Sequence, residues 1–107
     1  MVVDNWSKAE ADRVFHALAD ATRRDIVTRT MVREHSVSAL AQCYTMSFAA
    51  IQKHVAVLER ANLITKQRRG REQIVRADVA TVRRAASFLD AWDEMWRQRA
   101  QRIDDLL

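Results

Sequence analysis

Gln52 and Lys53, with Phe48 one helical turn before them, put an amide, a cation and an aromatic ring on one side of a short stretch. Ile51, Val55 and Leu58 recur at i, i+4 and i+7, the spacing that buries one face of a helix, so the polar set points away from the seam. A glutamine amide offers a donor and an acceptor that match an adenine edge in a major groove, and a lysine suits phosphate or guanine. Just downstream, Lys66, Arg68, Arg69 and Arg71 flank Gly70, the only glycine in the 107 residues. They fall within two strand-like runs, Leu63 to Arg76, and Gly70 accepts the positive φ that a tight hairpin turn requires. Cations on such a ribbon reach phosphates or a narrow minor groove. This is the chemistry of gripping a polyanion, not of turnover.

The charge is distributed accordingly. The net charge is +4, yet residues 1–52 carry six basic and six acidic side chains. Residues 53–76 carry seven basic (Lys53, Arg60, Lys66, Arg68, Arg69, Arg71, Arg76) against Glu59 and Glu72, and residues 77–107 five basic against six acidic. The excess therefore lies wholly on the helix-plus-hairpin unit, as a polyanion-binding surface needs. Charge alone also fits a solvated turn.

Other side chains of this helix admit more than one role. Ser47 is placed as its N-cap and is close enough to touch a phosphate, and Ala49 shares the exposed first turn. Phe48 suits either a thymine methyl or the edge of the core. His54 lies beside the buried seam, where packing and base contact compete. These residues, Ser47, Phe48, Ala49, Gln52, Lys53 and His54, form the expected reading set; Lys66, Arg68, Arg69, Gly70 and Arg71 form the expected wing.

The elements that must position them follow from caps and periodicity. Ser7 with Glu10 has the capping-box pattern and opens a first helix with Ala11, Val14, Phe15 and Leu18 on its apolar side. Asp20 caps a second, expected to bury Ile26, Val27, Thr30 and Met31. Glu34-His35-Ser36 interrupts that pattern. Ser38 is then expected to cap a short third helix with Leu40 and small Ala41, and Tyr44-Thr45-Met46 to turn into the helix from Ser47. Two short helices joined by a tight turn make a helix-turn-helix, and the basic hairpin after it makes a winged one. The expected fold is mainly α, with about five helices and a two-stranded wing in one domain, 1–107.

Asp78 caps a final helix expected from Val79 towards Leu107, with Val82, Ala86, Leu89, Trp92, Met95, Trp96, Ile103 and Leu106 mostly at three- and four-residue steps. Some 29 residues at roughly 1.5 Å each give a rod of about 40 Å, longer than so small a body covers. Its tryptophans then pack against a second copy, with Trp6, Leu89, Trp92, Trp96 and Ile103 as the expected dimer interface, or fold back onto their own core.

Several classes are disfavoured. No apolar run approaches a membrane span, and Met1 to Phe15 lacks a signal-peptide pattern, so a cytoplasmic location is expected. The lone Cys43 forms no internal disulfide, supplies no Cys-x-Cys ligand pair, and is expected to be a small buried residue. His16, His35 and His54 do not recur at ligand spacing, and Asp90, Asp93 and Glu94 suit a solvated face; neither metal nor cofactor is expected. No nucleophile elbow, phosphate loop or zinc-protease signature is present, so no enzymatic activity is expected.

Read together, Phe15 to Arg24, Ser36 to Ala41, Ala50 to Ala61 and Gly70-Arg71 resemble, in order, blocks of the ArsR/SmtB family of winged helix-turn-helix repressors. The resemblance spans Val14 to about Leu107. It implies a homodimeric repressor bound to a double-stranded operator of two-fold symmetry, without the metal-sensing ligands of many members. Three positions depart from the family pattern: Ala21 for proline, Gln52 for serine, and Asn62 for a glycine whose left-handed conformation asparagine tolerates. A protein-interaction module that uses the tryptophan-bearing helix on the same scaffold is the alternative. Binding of double-stranded RNA is disfavoured because a helix does not enter its deep, narrow major groove.

Overall fold

A computed structural model describes residues 6–107. The first five residues of the stretch weighed as a signal peptide lie outside the described ones. In chain order the elements are α1 (Lys8–Leu18), α2 (Ala21–Val32), β1 (His35–Ser36), α3 (Val37–Gln42), α4 (Phe48–Arg60), β2 (Ile64–Arg69), β3 (Glu72–Ala77) and α5 (Val79–Leu106).

The caps account for the helix starts. Ser7 and Glu10 form the reciprocal box that opens α1; Asp20, Ser47 and Asp78 each accept a backbone N–H at the third position of their helix. The α3 cap is a correction: Ser36, not Ser38, accepts the Ala39 N–H at 3.0 Å. The helix begins two residues early because Ser36 also ends a short strand. His35 and Ser36 pair antiparallel with Val75 and Ile74, so the expected two-stranded wing is the outer part of a three-stranded sheet ordered β1-β3-β2.

Two chain reversals follow from single residues. At the end of α4, Asn62 takes φ +61°. Its N–H reaches the Glu59 carbonyl at 3.0 Å and that of Leu63 reaches Leu58 at 3.0 Å, the paired bonds of a Schellman stop. At the wing tip Gly70 takes φ +64° while Arg71 stays at negative φ, as a two-residue turn with glycine first demands.

Behind these elements lies one apolar core. Ile26, Leu40, Ile51, Val55, Leu58, Leu63, Ile64 and Val75 are all but inaccessible, and Val14 and Ala17 join them from α1. Thr30 is buried with its hydroxyl satisfied by the Ile26 carbonyl at 2.7 Å. Arg23 fastens α1 to this core: its Nε donates to the Ala17 carbonyl at 2.7 Å and its Nη2 to that of His16 at 3.2 Å. Arg24 does likewise to Leu18 at 2.7 Å. The arginine pair thus supplies donors to the last-turn carbonyls of α1, one of which, that of His16, also accepts the Ala19 N–H at 3.1 Å.

Three burial expectations are corrected. Met31 is 46% exposed, because α2 buries Ile26, Val27 and Thr30 and turns its next residue outward. On α5 it is Ala85, not Ala86, that reaches the core. Cys43 is exposed, since it is the C-cap of α3, at the chain's surface turn towards α4. Beyond Ala91 every residue of α5 is exposed, and the molecule measures 63 Å in its longest direction.

Candidate nucleic-acid interface

Ser47 begins the site: its Oγ accepts the Ala50 N–H at 3.1 Å and sets where α4 starts. That phase puts Ile51, Val55 and Leu58 into the core and leaves Phe48, Ala49, Gln52 and Lys53 exposed. Phe48 is 47% exposed, so its ring is only partly engaged with the body.

The turn before α4 is held from α2. Tyr44 donates its hydroxyl to Asp25 Oδ2 at 2.5 Å, and Arg29 Nε donates to the same oxygen at 2.8 Å. The Arg29 guanidinium also lies 5.6 Å from the centre of the Tyr44 ring. The tyrosine hydroxyl, then Arg29, hold the Asp25 carboxyl below its ordinary range. Burial, reinforced by the bond to Asp25, pushes the Tyr44 phenol up to about 12. These three side chains therefore anchor the helix-turn-helix turn to the body, a role that the spacing of isolated polar residues did not disclose.

His54 is half-buried, with Nδ1 3.2 Å from Arg23 Nη1. Its ring joins the arginine that fastens α1, so the structure places this side chain towards α2.

The wing lies alongside α4. Phe48 and Gln52 of α4, Ser38 of α3, and Lys66, Arg71 and Gln73 of the ribbon line one groove of about 260 Å³. Of these, Gln73 and Ser38 were not singled out from the sequence; strand alternation two residues from Val75 was the available signal for Gln73.

The wing cations are not equivalent. Arg68 and Arg69 are neighbours on one strand, so they point to opposite faces of the ribbon. Arg68 donates Nε to the Gly70 carbonyl at 3.2 Å. Arg69 instead grips Glu34 with both nitrogens, Nη1 to Oε1 at 2.6 Å and Nη2 to Oε2 at 3.3 Å. Arg76 reaches the same Oε2 at 3.1 Å. The Arg69 bond, before all else, keeps the Glu34 carboxyl below its usual range. Lys66 lies 3.7 Å from Glu59, a looser pair. Among the described residues, Lys53, Arg68 and Arg71 have no carboxylate partner.

At the other end of the molecule, Leu89, Trp92, Trp96 and Ile103 are each more than half exposed along α5. Trp92 and Trp96 meet edge to face, with ring centres 6.0 Å apart. Trp6 behaves differently. It is half-buried, 6.3 Å from the Phe88 ring and with the Arg84 guanidinium 4.7 Å above it. Among the described residues, no group of three or more His, Cys, Asp or Glu is placed to hold a metal ion. Nor, among them, is any helix long and apolar enough to cross a membrane.

No family model matches the chain. It is 33% identical over 94 residues to the HTH-type transcriptional regulator Rv2034 of Mycobacterium tuberculosis, covering 87% of this chain and 88% of that protein. An ArsR-like transcriptional regulator from Rhodococcus sp. RHA1 superposes with a TM-score of 0.82 at 34% identity, over 92% of each chain. The chain belongs to the ArsR family of winged helix-turn-helix transcriptional regulators. A further neighbour is the homodimeric winged helix-turn-helix DNA-binding domain, fragment 1–100, of Mb0332 from Mycobacterium bovis. It superposes with a TM-score of 0.67 at 25% identity, over 88% of this chain and 92% of that one. In this ArsR-family chain, then, α3 and α4 are the helix-turn-helix and β2–β3 the wing.

Proposed function

We propose that this regulator is a homodimeric repressor that binds a two-fold symmetric DNA operator and acts by occlusion. The observation that carries the reading is the shared groove, where Phe48 and Gln52 on α4 face Lys66 and Arg71 on the ribbon. A helix of this kind enters a major groove, and an adjacent ribbon follows the flanking backbone. In this reading Gln52 reads an adenine, Lys53 and Ser47 meet phosphate, and Phe48 meets a thymine methyl. Lys66, Arg68 and Arg71 supply sequence-independent grip.

The dimer is supported by the bare apolar strip Leu89, Trp92, Trp96 and Ile103, a type of surface that monomers seldom leave contiguous. It is supported also by the homodimeric neighbour Mb0332. In this assembly Trp6 contributes by bracing Phe88 under the strip rather than by lying in the open. Two recognition helices held about one DNA turn apart occupy successive major grooves and block polymerase. Regulation without a bound metal, with the protein repressing its own operon, completes the proposal. It is favoured by the single cysteine and by the scattered histidines.

The test is selection of bound sequences from a random duplex pool. A recovered motif with two inverted half-sites one turn apart is expected. Recovery of no motif, with no binding in dilute buffer, would overturn the reading in favour of a protein-interaction role for α5.

A further inference from the structure

We propose that Glu34 stands in for a DNA phosphate inside the protein, withholding Arg69 from the duplex and so limiting how tightly the wing grips. The inference rests on the DNA-binding reading above and deepens it.

The geometry is that of phosphate recognition carried out on a carboxylate. Arg69 presents two nitrogens to two oxygens of Glu34, at 2.6 and 3.3 Å, the fork arrangement by which arginine also takes phosphates. Arg76 holds the second oxygen from the neighbouring strand at 3.1 Å and keeps the carboxylate in place. The position of Glu34 makes this contact available: it immediately precedes β1, whose antiparallel register with β3, continued one step past the last pair, leads to Arg76. Arg69 closes β2 at the tip of the ribbon, where a passing backbone would meet it.

A carboxylate that only braced the wing would need no cation from its outer end. Here the captured group is the wing-tip arginine itself, while its neighbours Arg68 and Arg71 keep no acidic partner among the described residues. Exposed ion pairs are weak, so the capture is a competition with phosphate and not a lock. Removing the competitor therefore strengthens DNA binding, which is opposite to the effect of removing a brace.

The experiment uses the full chain and two labelled duplexes, one recovered by selection and one of random sequence. The variants E34Q, R69Q and E34Q/R69Q are compared with the unaltered protein over a range of salt. E34Q is expected to bind both duplexes more tightly by similar factors. E34Q frees both Arg69 and Arg76, but Arg69 is the one at the ribbon tip; one such added phosphate contact in each protomer steepens the log–log salt slope by about 1.8 in the dimer, so the gain shrinks about 12-fold between 50 and 200 mM salt. R69Q alone is expected to leave the slope unchanged, and in E34Q/R69Q most of the gain disappears. Weaker or equal binding by E34Q, a gain undiminished by R69Q, or a shallower slope for R69Q alone overturns the proposal. An unaltered protein that binds neither duplex refutes the DNA-binding reading instead.

Discussion

Salt dependence offers the most quantitative check on the interface. Of the cations expected in the reading helix and wing, Lys66 is set against Glu59 and Arg69 against Glu34, whereas Lys53, Arg68 and Arg71 have no carboxylate partner among the described residues. A pair of protomers brings six. Each neutralised phosphate contributes about −0.9 to the slope of log K against log salt, so six give about −5.4 and a loss of affinity near 10³-fold between 50 and 200 mM. Arg68→Ala removes two of the six in a dimer. The slope should then fall to about −3.6, and the loss over the same range to roughly 150-fold. Fluorescence anisotropy of a labelled duplex at four or five salt concentrations measures both. Thermal melting checks that loss of the Arg68 bond to the Gly70 carbonyl has not unfolded the turn. A slope shallower than about −2 for the unaltered protein would refute the count of partnerless cations as the source of affinity. So would an Arg68→Ala protein that loses affinity at constant slope, because that side chain would then be reading a base.

Gln52→Ala should cost about 1–3 kcal/mol of discrimination between the selected operator and random DNA, read from competition binding; an equal loss on both duplexes would remove it as a base reader. Trp96→Arg should shift sedimentation from dimer to monomer, and an unchanged mass would take this ring out of the interface. The phenol of Tyr44, the only tyrosine, titrates near 12 in the fold against 10.0 in the unfolded chain. Folding therefore favours the protonated form: stability is intact below pH 10 and declines as pH rises towards about 12. Tyr44→Phe should flatten that decline in denaturant titrations, and an unaltered pH profile would mean that neither burial nor Asp25 shifts this hydroxyl. Asn62→Ala should destabilise the fold by about 1 kcal/mol, since alanine meets a steric penalty at left-handed φ, and Asn62→Gly should not; equal melting points would contradict the capping account.

Much of this fold was legible because its signals are local. A cap side chain and the N–H it accepts are three residues apart, and the Ile51, Val55, Leu58 seam repeats within three turns. Asn62 and Gly70 could be read as left-handed positions for the same reason. The misreadings share a different cause. Ser36 displaced Ser38 as a cap because two residues of strand formed against β3, about 40 positions away in sequence. Residue type alone places Cys43 in the core, while its position at a helix end leaves it exposed. In the site, the helix face of Phe48, Gln52 and Lys53 was visible in the periodicity. The sorting of the wing arginines was not, because it depends on Glu34 lying 35 residues from Arg69. The anchoring of the turn by Asp25, Arg29 and Tyr44 is hidden from local patterns for the same reason, the tyrosine lying 19 positions from the aspartate.

From Trp92 onward every residue of the last helix is exposed, and that segment runs for some 15 residues, about 22 Å. Helices of that length are marginal in water unless something lies against them. If a second copy supplies that support, dilution does more than separate two bodies; it unravels the arm that joins them. Far-ultraviolet ellipticity would then fade as the solution thins. A regulator built this way registers its own abundance, staying silent when scarce and engaging over a narrow rise in copy number.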